Sequence, residues 1–220
     1  QAQLQQYLSM LQHGQPQDVI AICHSNKECL QINRQVRRHL LGSADAPLQE
    51  GDLLIITQNN YKVPLANGDF VLVRYVDPHI QMYCGLQFCN VTVEDLHTGQ
   101  QHNALMCLNT LYSGNPNITH QQQRSLMIAF SKKMRAQKIK PRTIPYREEL
   151  QKDPYLNSLR ANYGYAVTCH KSQGGEWEQV FLFLNKGMYV MPGPTLTRWW
   201  YTAVTRAKNN LVLTDDWWLV

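Results

Sequence analysis

Apolar positions along this chain change texture twice. Residues 18–23 (Asp-Val-Ile-Ala-Ile-Cys) form an unbroken apolar run that stops at His24-Ser25-Asn26. Its length and β-branched content predict a buried parallel strand. From Asn26 to Leu41 the apolar residues Cys29, Leu30, Ile32, Val36, Leu40 and Leu41 recur at helical spacing. Ser25 or Asn26 is the expected N-cap of that helix and Gly42 its stop. After Pro47 the pattern shortens. Segments 51–57, 59–61, 67–69 and 70–76 read as strands punctuated by Asn- and Gly-bearing turns, with further β-like segments around 87–96 and 104–108. Residues 119–136 return to a helical composition, and 140–154 form a basic, proline-punctuated connection. Strands are expected near 165–169, 180–184 and 211–214, with helices between them. Together with 18–23 they predict an open, mostly parallel α/β sheet. Residues 1–15 read as a helix leading out of something upstream. The expected organisation is 1–46 as the first part of the α/β domain, 47–118 as an inserted β unit, 119–160 as a basic helical connection, and 161–220 as the second part.

Composition narrows this picture only a little. A length of 220 residues, 44% hydrophobic, is ample for a buried core. No apolar run approaches the ~20 residues needed to cross a membrane, and the polar N-terminus has no signal-peptide pattern, so a cytoplasmic protein is expected. The net charge of +5 is unevenly placed. From Leu96 to Arg147 there is no Asp or Glu, while Arg124, Lys132, Lys133, Arg135, Lys138, Lys140, Arg142 and Arg147 accumulate. Such a strip is either a solvated helix face or a phosphate-binding surface. The six cysteines contain no Cys-x-x-Cys pair. Cys84, Cys89, His97, His102 and Cys107 match no strong zinc template, so no metal site is assigned.

Two segments near the C-terminus carry the chemistry. Tyr165-Ala-Val-Thr-Cys-His-Lys-Ser-Gln-Gly-Gly-Glu-Trp-Glu-Gln-Val-Phe-Leu-Phe183 ends a strand in polar groups, turns on two glycines, presents a carboxylate and re-enters an apolar strand. Tyr201-Thr-Ala-Val-Thr-Arg-Ala-Lys-Asn-Asn-Leu-Val-Leu213 sets an arginine and two hydroxyls on a helix before another strand. Strand ends and helix starts that gather such groups suit a polyphosphate ligand. The pair, in this order, resembles motifs V and VI of superfamily 1 helicases, most closely the RecD-like, 5′-to-3′ branch. The unit at 18–41 resembles motif IV. The Gly51-Asp phrase, with Asn59, Asn60, Tyr61 and later Asn67-Gly68, resembles the opening of the SH3-like β-barrel that RecD-like helicases insert into their second motor domain.

The resemblance implies a RecA-like parallel sheet with helices on both faces, interrupted by that barrel. It implies an ATP-dependent DNA helicase, active in DNA repair, that works on single-stranded DNA, with a nuclease or repair subunit as a further partner. Arg206 matches the arginine that reaches the γ-phosphate, and Glu176, Gly174, Gly175 and Thr205 match the nucleotide-binding positions. Thr168, His170, Lys171, Ser172, Gln173 and Thr202 match the track for single-stranded DNA. The plainer reading of Arg206 is a helix arginine paired with a carboxylate, and of Glu176 a solvated or capping side chain. Where many relatives carry a motif IV arginine this chain has His24; Arg34 or Arg37 could substitute, or the contact is lost. No Gly-Lys dipeptide occurs, so the Gly-x-x-x-x-Gly-Lys-Ser/Thr phosphate loop is missing. Leu211-Val-Leu-Thr-Asp-Asp216 reads as a last strand and its turn, not a metal-binding Asp. The ATP phosphate loop and the Mg²⁺ ligands are expected on an N-terminal motor domain of a longer protein, and this chain alone is expected to be inactive. The alternative is a non-catalytic module, derived from a helicase, that binds nucleic acid or a repair partner.

Overall fold

The computed structural model describes residues 2–113, 115 and 117–214, so Asp215 and Asp216 lie outside the described residues. The elements run α1 (Ala2–His13), β1 (Val19–Cys23), α2 (Asn26–Leu41), β2 (Leu53–Ile56), β3 (Phe70–Val76), β4 (Gln81–Tyr83), β5 (Leu86–Asp95) and β6 (Gln101–Cys107). They continue α3 (Asn109–Ser113), α4 (His120–Ala136), α5 (Ile144–Lys152), β7 (Ala161–Tyr163), β8 (Ala166–Thr168), β9 (Trp177–Phe183), α6 (Gly193–Val204) and β10 (Ala207–Leu213). The chain divides into two compact units, Gln1–Pro47 with Tyr163–Val220, and Leu48–Asn162.

The first unit is built on a four-stranded parallel sheet in the order β10-β9-β1-β8. Central strand β1 is buried at all five positions, as an apolar run flanked on both sides requires. Helix α2 starts where Ser25 caps it: Ser25 Oγ accepts from Glu28 N at 3.3 Å, and Ser25 N donates to Glu28 Oε2 at 3.0 Å. It stops at Gly42, whose φ of 75° only glycine adopts freely. Buried Asn33 fastens this helix to the sheet. Its Nδ2 donates to the carbonyls of Tyr163 and Ala166 at 3.1 and 3.0 Å, and its Oδ1 accepts from Ala166 N at 2.9 Å. On α1, Tyr7 is fully buried, donates to Tyr165 O, and packs its ring 5.1 Å from that of Phe181. Arg37 is also fully buried. It donates to the carbonyls of Ala46 and Pro47 at 2.6 and 2.8 Å and lies 4.1 Å from the Tyr163 ring centroid, a cation–π contact. One side chain thus holds the chain where it leaves this unit and where it returns.

The second unit holds an antiparallel sheet in the order β4-β5-β3-β2-β7, with β6 on the other edge of β5. The sheet curls. Leu159 bridges Met106 near the end of β6, Cys107 N donates to Leu159 O at 3.0 Å, and Thr57 N donates to Arg160 O at 2.9 Å. This is a curled half-barrel; a complete SH3-like barrel is not established by these pairings. Helix α4 packs Leu126, Phe130 and Met134 inward at four-residue spacing, and Leu126 joins Leu86, Phe88 and Cys107 in one cluster. The Tyr83 and Tyr155 rings stack beside it with centroids 4.0 Å apart.

Candidate functional site

Strand β8 ends at Thr168, and the chain turns through a single 3₁₀ segment, Cys169–Ser172. Ser172 is fully buried, and its hydroxyl donates to Cys169 O at 2.8 Å. The Cys169 thiol donates to Trp199 O on α6 at 3.4 Å. Burial pushes that thiol up to about 11, against the opposing pull of the Arg206 charge, so it remains protonated at neutral pH. Gly175 N then donates to Ser172 O at 3.1 Å. The two glycines do separate jobs. Gly174 sits at φ 86°, in the left-handed region. A Cβ on Gly175 would lie 2.3 Å from Trp177 Cη2, so hydrogen there makes room for the indole. Trp177 is buried in the core and opens β9.

Arg206 closes this loop from the other side. It sits in the turn between α6 and β10, and all three guanidinium nitrogens find neutral acceptors. Nε donates to Thr202 O at 3.0 Å, Nη1 to Gly175 O at 3.1 Å, and Nη2 to Thr205 Oγ1 at 2.9 Å. Thr205 Oγ1 in turn donates to Tyr201 O at 2.8 Å. Trp177 N donates to Arg206 O at 2.9 Å, so backbone and side chain both join the two segments.

Among the expected nucleotide-site residues, Gly175, Thr205 and Arg206 are therefore brought together, with Thr202 beside them. Glu176, the next residue, is exposed. His170 and Gln173 are exposed, Thr168 and Lys171 are half-buried, and Ser172 faces inward. Burial holds the Lys171 ammonium below its ordinary range, partly offset by Cys29. Because the sheet is parallel, Thr168 lies at the carboxyl end of β8, whereas Trp177 and Ala207 begin β9 and β10 at the opposite edge. The polar loop of 168–176 therefore runs from the carboxyl end of the sheet back to its amino end.

At the carboxyl end of β1, His24 Nδ1 is buried without a partner among the described residues. Arg34 is exposed in an ion pair with Asp45 at 2.9 Å. Arg37, one of the two substitutes considered for a motif IV arginine, is excluded because it is enclosed and bound to carbonyls. Sequence reasoning missed Glu28 and Asn185, which are hydrogen-bonded to each other across the carboxyl ends of β1 and β9. The Ser25-x-x-Glu28 capping box was the available signal for the first of them. Among the described residues no group of three or more His, Cys, Asp or Glu side chains could hold a metal ion, and no helix is long and apolar enough to cross a membrane.

The parallel sheet and its helices make an α/β fold similar to that of helicase motor domains. Residues 163–214 match the UvrD-like helicase C-terminal domain family. The crystal structure of the Pif1 helicase from Bacteroides in complex with ADP-AlF3 and ssDNA aligns over 100% of this chain, at 13% identity and a TM-score of 0.50. That of the Pif1 helicase from Candida albicans aligns over 98%, at 9% identity and a TM-score of 0.41. The chain covers 50% of the first protein and 54% of the second. An uncharacterized protein of Methanocaldococcus jannaschii is 37% identical over 59 residues, which are 27% of this chain and 5% of that protein.

Proposed function

We propose that this chain is the second motor domain of a superfamily 1 DNA helicase of the RecD-like branch, working 5′-to-3′ on single-stranded DNA in the cytoplasm. The observation that carries this reading is the union of Arg206 with the Gly174-Gly175 turn. It holds a permanently charged, planar group, without a carboxylate partner among the described residues, next to an exposed carboxylate, Glu176, and a hydroxyl, Thr205. That donor set fits a nucleoside triphosphate. A guanidinium matches phosphoryl oxygens, and a carboxylate matches ribose hydroxyls. ATP with Mg²⁺ supplies the phosphoryl group; the phosphate loop and Mg²⁺ ligands belong to a partner motor domain, since this chain contains no Gly-Lys dipeptide. Arg206 acts as the arginine finger, neutralising charge on the transferred group. Thr168, His170, Lys171, Gln173 and Thr202 line the DNA track, with Ser172 shaping its turn from within. The second unit, with its 119–160 helices, serves as the SH3-like insertion, and a nuclease or repair subunit is the expected further partner.

The test is direct. The chain is titrated against 5′-labelled oligo-dT by fluorescence anisotropy at increasing salt. Binding that falls linearly with log salt supports the reading. No binding to any single strand at low salt defeats it.

A further inference from the structure

The basic strip of the second unit has no part in the site described above, and helix α4 fixes how it is displayed. Leu126, Phe130 and Met134 face inward. Arg124, Ile128, Lys132 and Arg135 recur at helical spacing on the opposite face, and all four are exposed. At about 1.5 Å per residue, these cations span about 16 Å of the helix axis. Lys138, Lys140 and Arg142 carry the strip through the turn that leads to α5, and they are exposed as well. Among the described residues, none of these cations makes an ion pair or a side-chain hydrogen bond. Lys133, off the strip, is the α4 lysine that has a partner, Asp153 at 4.0 Å.

The turn itself is ordered by its own bonds. Ile139 N donates to Met134 O at 2.9 Å, and Thr143 Oγ1 donates to Lys140 O at 2.7 Å. Tyr146 braces it, with its ring edge-on to Phe130 at 5.2 Å and its hydroxyl 3.1 Å from Ser131 Oγ. Within this turn Lys138 and Arg142 hold φ of 59° and 65°, in the left-handed region. Glycine takes that conformation without penalty, and a connection that only joins two helices is best served by it. Here two long cations stand in the strained positions instead, on either side of a third, which points to a use for their side chains.

A row of unpaired cations attracts a polyanion, and the aromatic residues decide which one. From Gln121 to Lys152 the aromatic residues are Phe130 and Tyr146 alone, and they pack on each other. The exposed large apolar side chains here, Ile128 and Ile144, are aliphatic. Single strands are held by bases stacking on exposed rings beside the cations, and this strip offers no such ring. A duplex keeps its bases inside and presents about one phosphate charge per 1.7 Å of axis, a density that cations alone can engage.

We propose that the outer face of α4 and the turn at 137–143 form a docking surface for the phosphate backbone of a double-stranded nucleic acid. This partner is distinct from the single strand assigned to the loop of 168–176. Its contacts go to phosphate and carry no sequence preference.

The test titrates the whole chain against a labelled blunt DNA duplex and against oligo-dT, by fluorescence anisotropy across salt. One variant joins Lys138→Gly to Arg142→Gly, which removes two charges and relieves the left-handed strain, so it should melt no lower than the parent. A second joins Arg124→Gln to Lys132→Gln on the helix face. The control joins Arg38→Gln to Lys62→Gln, both exposed and off the strip, and removes the same charge. Each strip variant should weaken duplex binding about tenfold and lower the slope of log affinity against log salt by about 1.8, the value for two duplex contacts. The control should bind duplex nearly as the parent does, and oligo-dT binding by the strip variants should change no more than in the control. Duplex binding without any oligo-dT binding supports this proposal while defeating the function proposed above. A parent that fails to bind duplex at low salt overturns it, whichever other polyanion is bound. A control as weak as the strip variants reduces the effect to net charge and also overturns it, as does a loss confined to oligo-dT.

Discussion

Arg206 donates from Nη1 to the carbonyl oxygen of Gly175 at 3.1 Å, and Trp177 N answers by donating to Arg206 O at 2.9 Å. A cation that ordinarily seeks a carboxylate is held here by carbonyls and one hydroxyl. Its charge therefore remains available to an incoming anion, while its position is fixed by the loop it would serve. Preorganisation of this kind matters in phosphoryl transfer because the charge to be neutralised develops mainly in the transition state.

Arg206→Ala separates the two roles of this side chain. If the proposed function holds, then in a protein that joins this chain to the other motor domain hydrolysis is expected to fall by roughly 10³–10⁵ while ATP binding stays nearly intact. In the isolated chain the same change should lower stability by about 1–2 kcal/mol, from lost hydrogen bonds to part-buried carbonyls. Arg206→Lys should restore little of either, since an ammonium cannot span three divergent acceptors. Single-turnover hydrolysis, a nucleotide titration and a urea melt give the three readings. A near-parental hydrolysis rate in Arg206→Ala would remove the finger assignment and leave a purely structural brace.

Gly175 and Trp177 form a second testable pair. Gly175→Ala drives a methyl into the indole, with the nearest ring atoms at 2.3, 2.8 and 2.9 Å. Overpacking of that degree costs about 1–3 kcal/mol. Gly174→Ala meets no neighbour within 4 Å and is penalised only through its φ of 86°, by about 1 kcal/mol. Replacing Trp177 with Leu is expected to rescue Gly175→Ala in part and to do nothing for Gly174→Ala. Urea melts of the three single and two double variants, combined as double-mutant cycles, read the coupling. A coupling near zero between 175 and 177 would show that the turn relaxes away from the ring.

The parts of this fold that were legible share a physical cause. Strand β1 and helix α2 could be read almost to the residue, because burial on both faces and a 3.6-residue period leave unambiguous patterns, and Ser25 and Gly42 are local signals that need no tertiary context. The starts of β9 and β10 were placed three and four residues late. Glu178, Gln179 and Lys208-Asn209-Asn210 look like loop, yet Glu178 accepts from Asn209 at 2.5 Å across the paired strands. Polar pairs between parallel neighbours leave no mark in hydropathy. Strand β4, Gln81-Met82-Tyr83, escapes a sequence reading for a different reason, because three residues are too few to show a period. At the candidate site the residue types could be read, but their commitments could not. Nothing in the sequence distinguishes buried Ser172 from exposed Gln173, or tells that Arg37 would be enclosed while Arg34 stays outside.

Ser25→Ala removes one half of the α2 capping box. Loss of an N-cap acceptor costs about 1 kcal/mol. Glu28 closes the other half and is also hydrogen-bonded by Asn185, so Glu28→Ala should cost more than Ser25→Ala. Thermal melts of the two variants and their double mutant test this order. Equal losses would mean that the Asn185 contact adds nothing to stability.

Lys171 joins stability and binding in one side chain, and the two should move in opposite directions. Burial lowers its pKa from the ordinary value of 10.5, so the folded chain releases this proton more readily than the unfolded one. At pH below the folded-state value both states carry the charge, and folding bears the full cost of desolvating an ammonium. As pH rises past the folded-state value that cost declines, and above 10.5, where both states are neutral, it vanishes. Lys171→Met keeps the stem and removes the charge. It should therefore melt higher than the parent at pH 7, with the advantage shrinking as pH climbs toward 10.5. The ammonium earns its place only if it meets a phosphate. The same variant should then bind oligo-dT more weakly, with the slope of log affinity against log salt reduced by about 0.7, the value for one contact to a single strand. Melts across pH and anisotropy across salt measure the two arms independently. A variant that is less stable at pH 7 would show that Lys171 is a structural cation. One that is more stable yet binds oligo-dT with an unchanged salt slope would remove it from the DNA track.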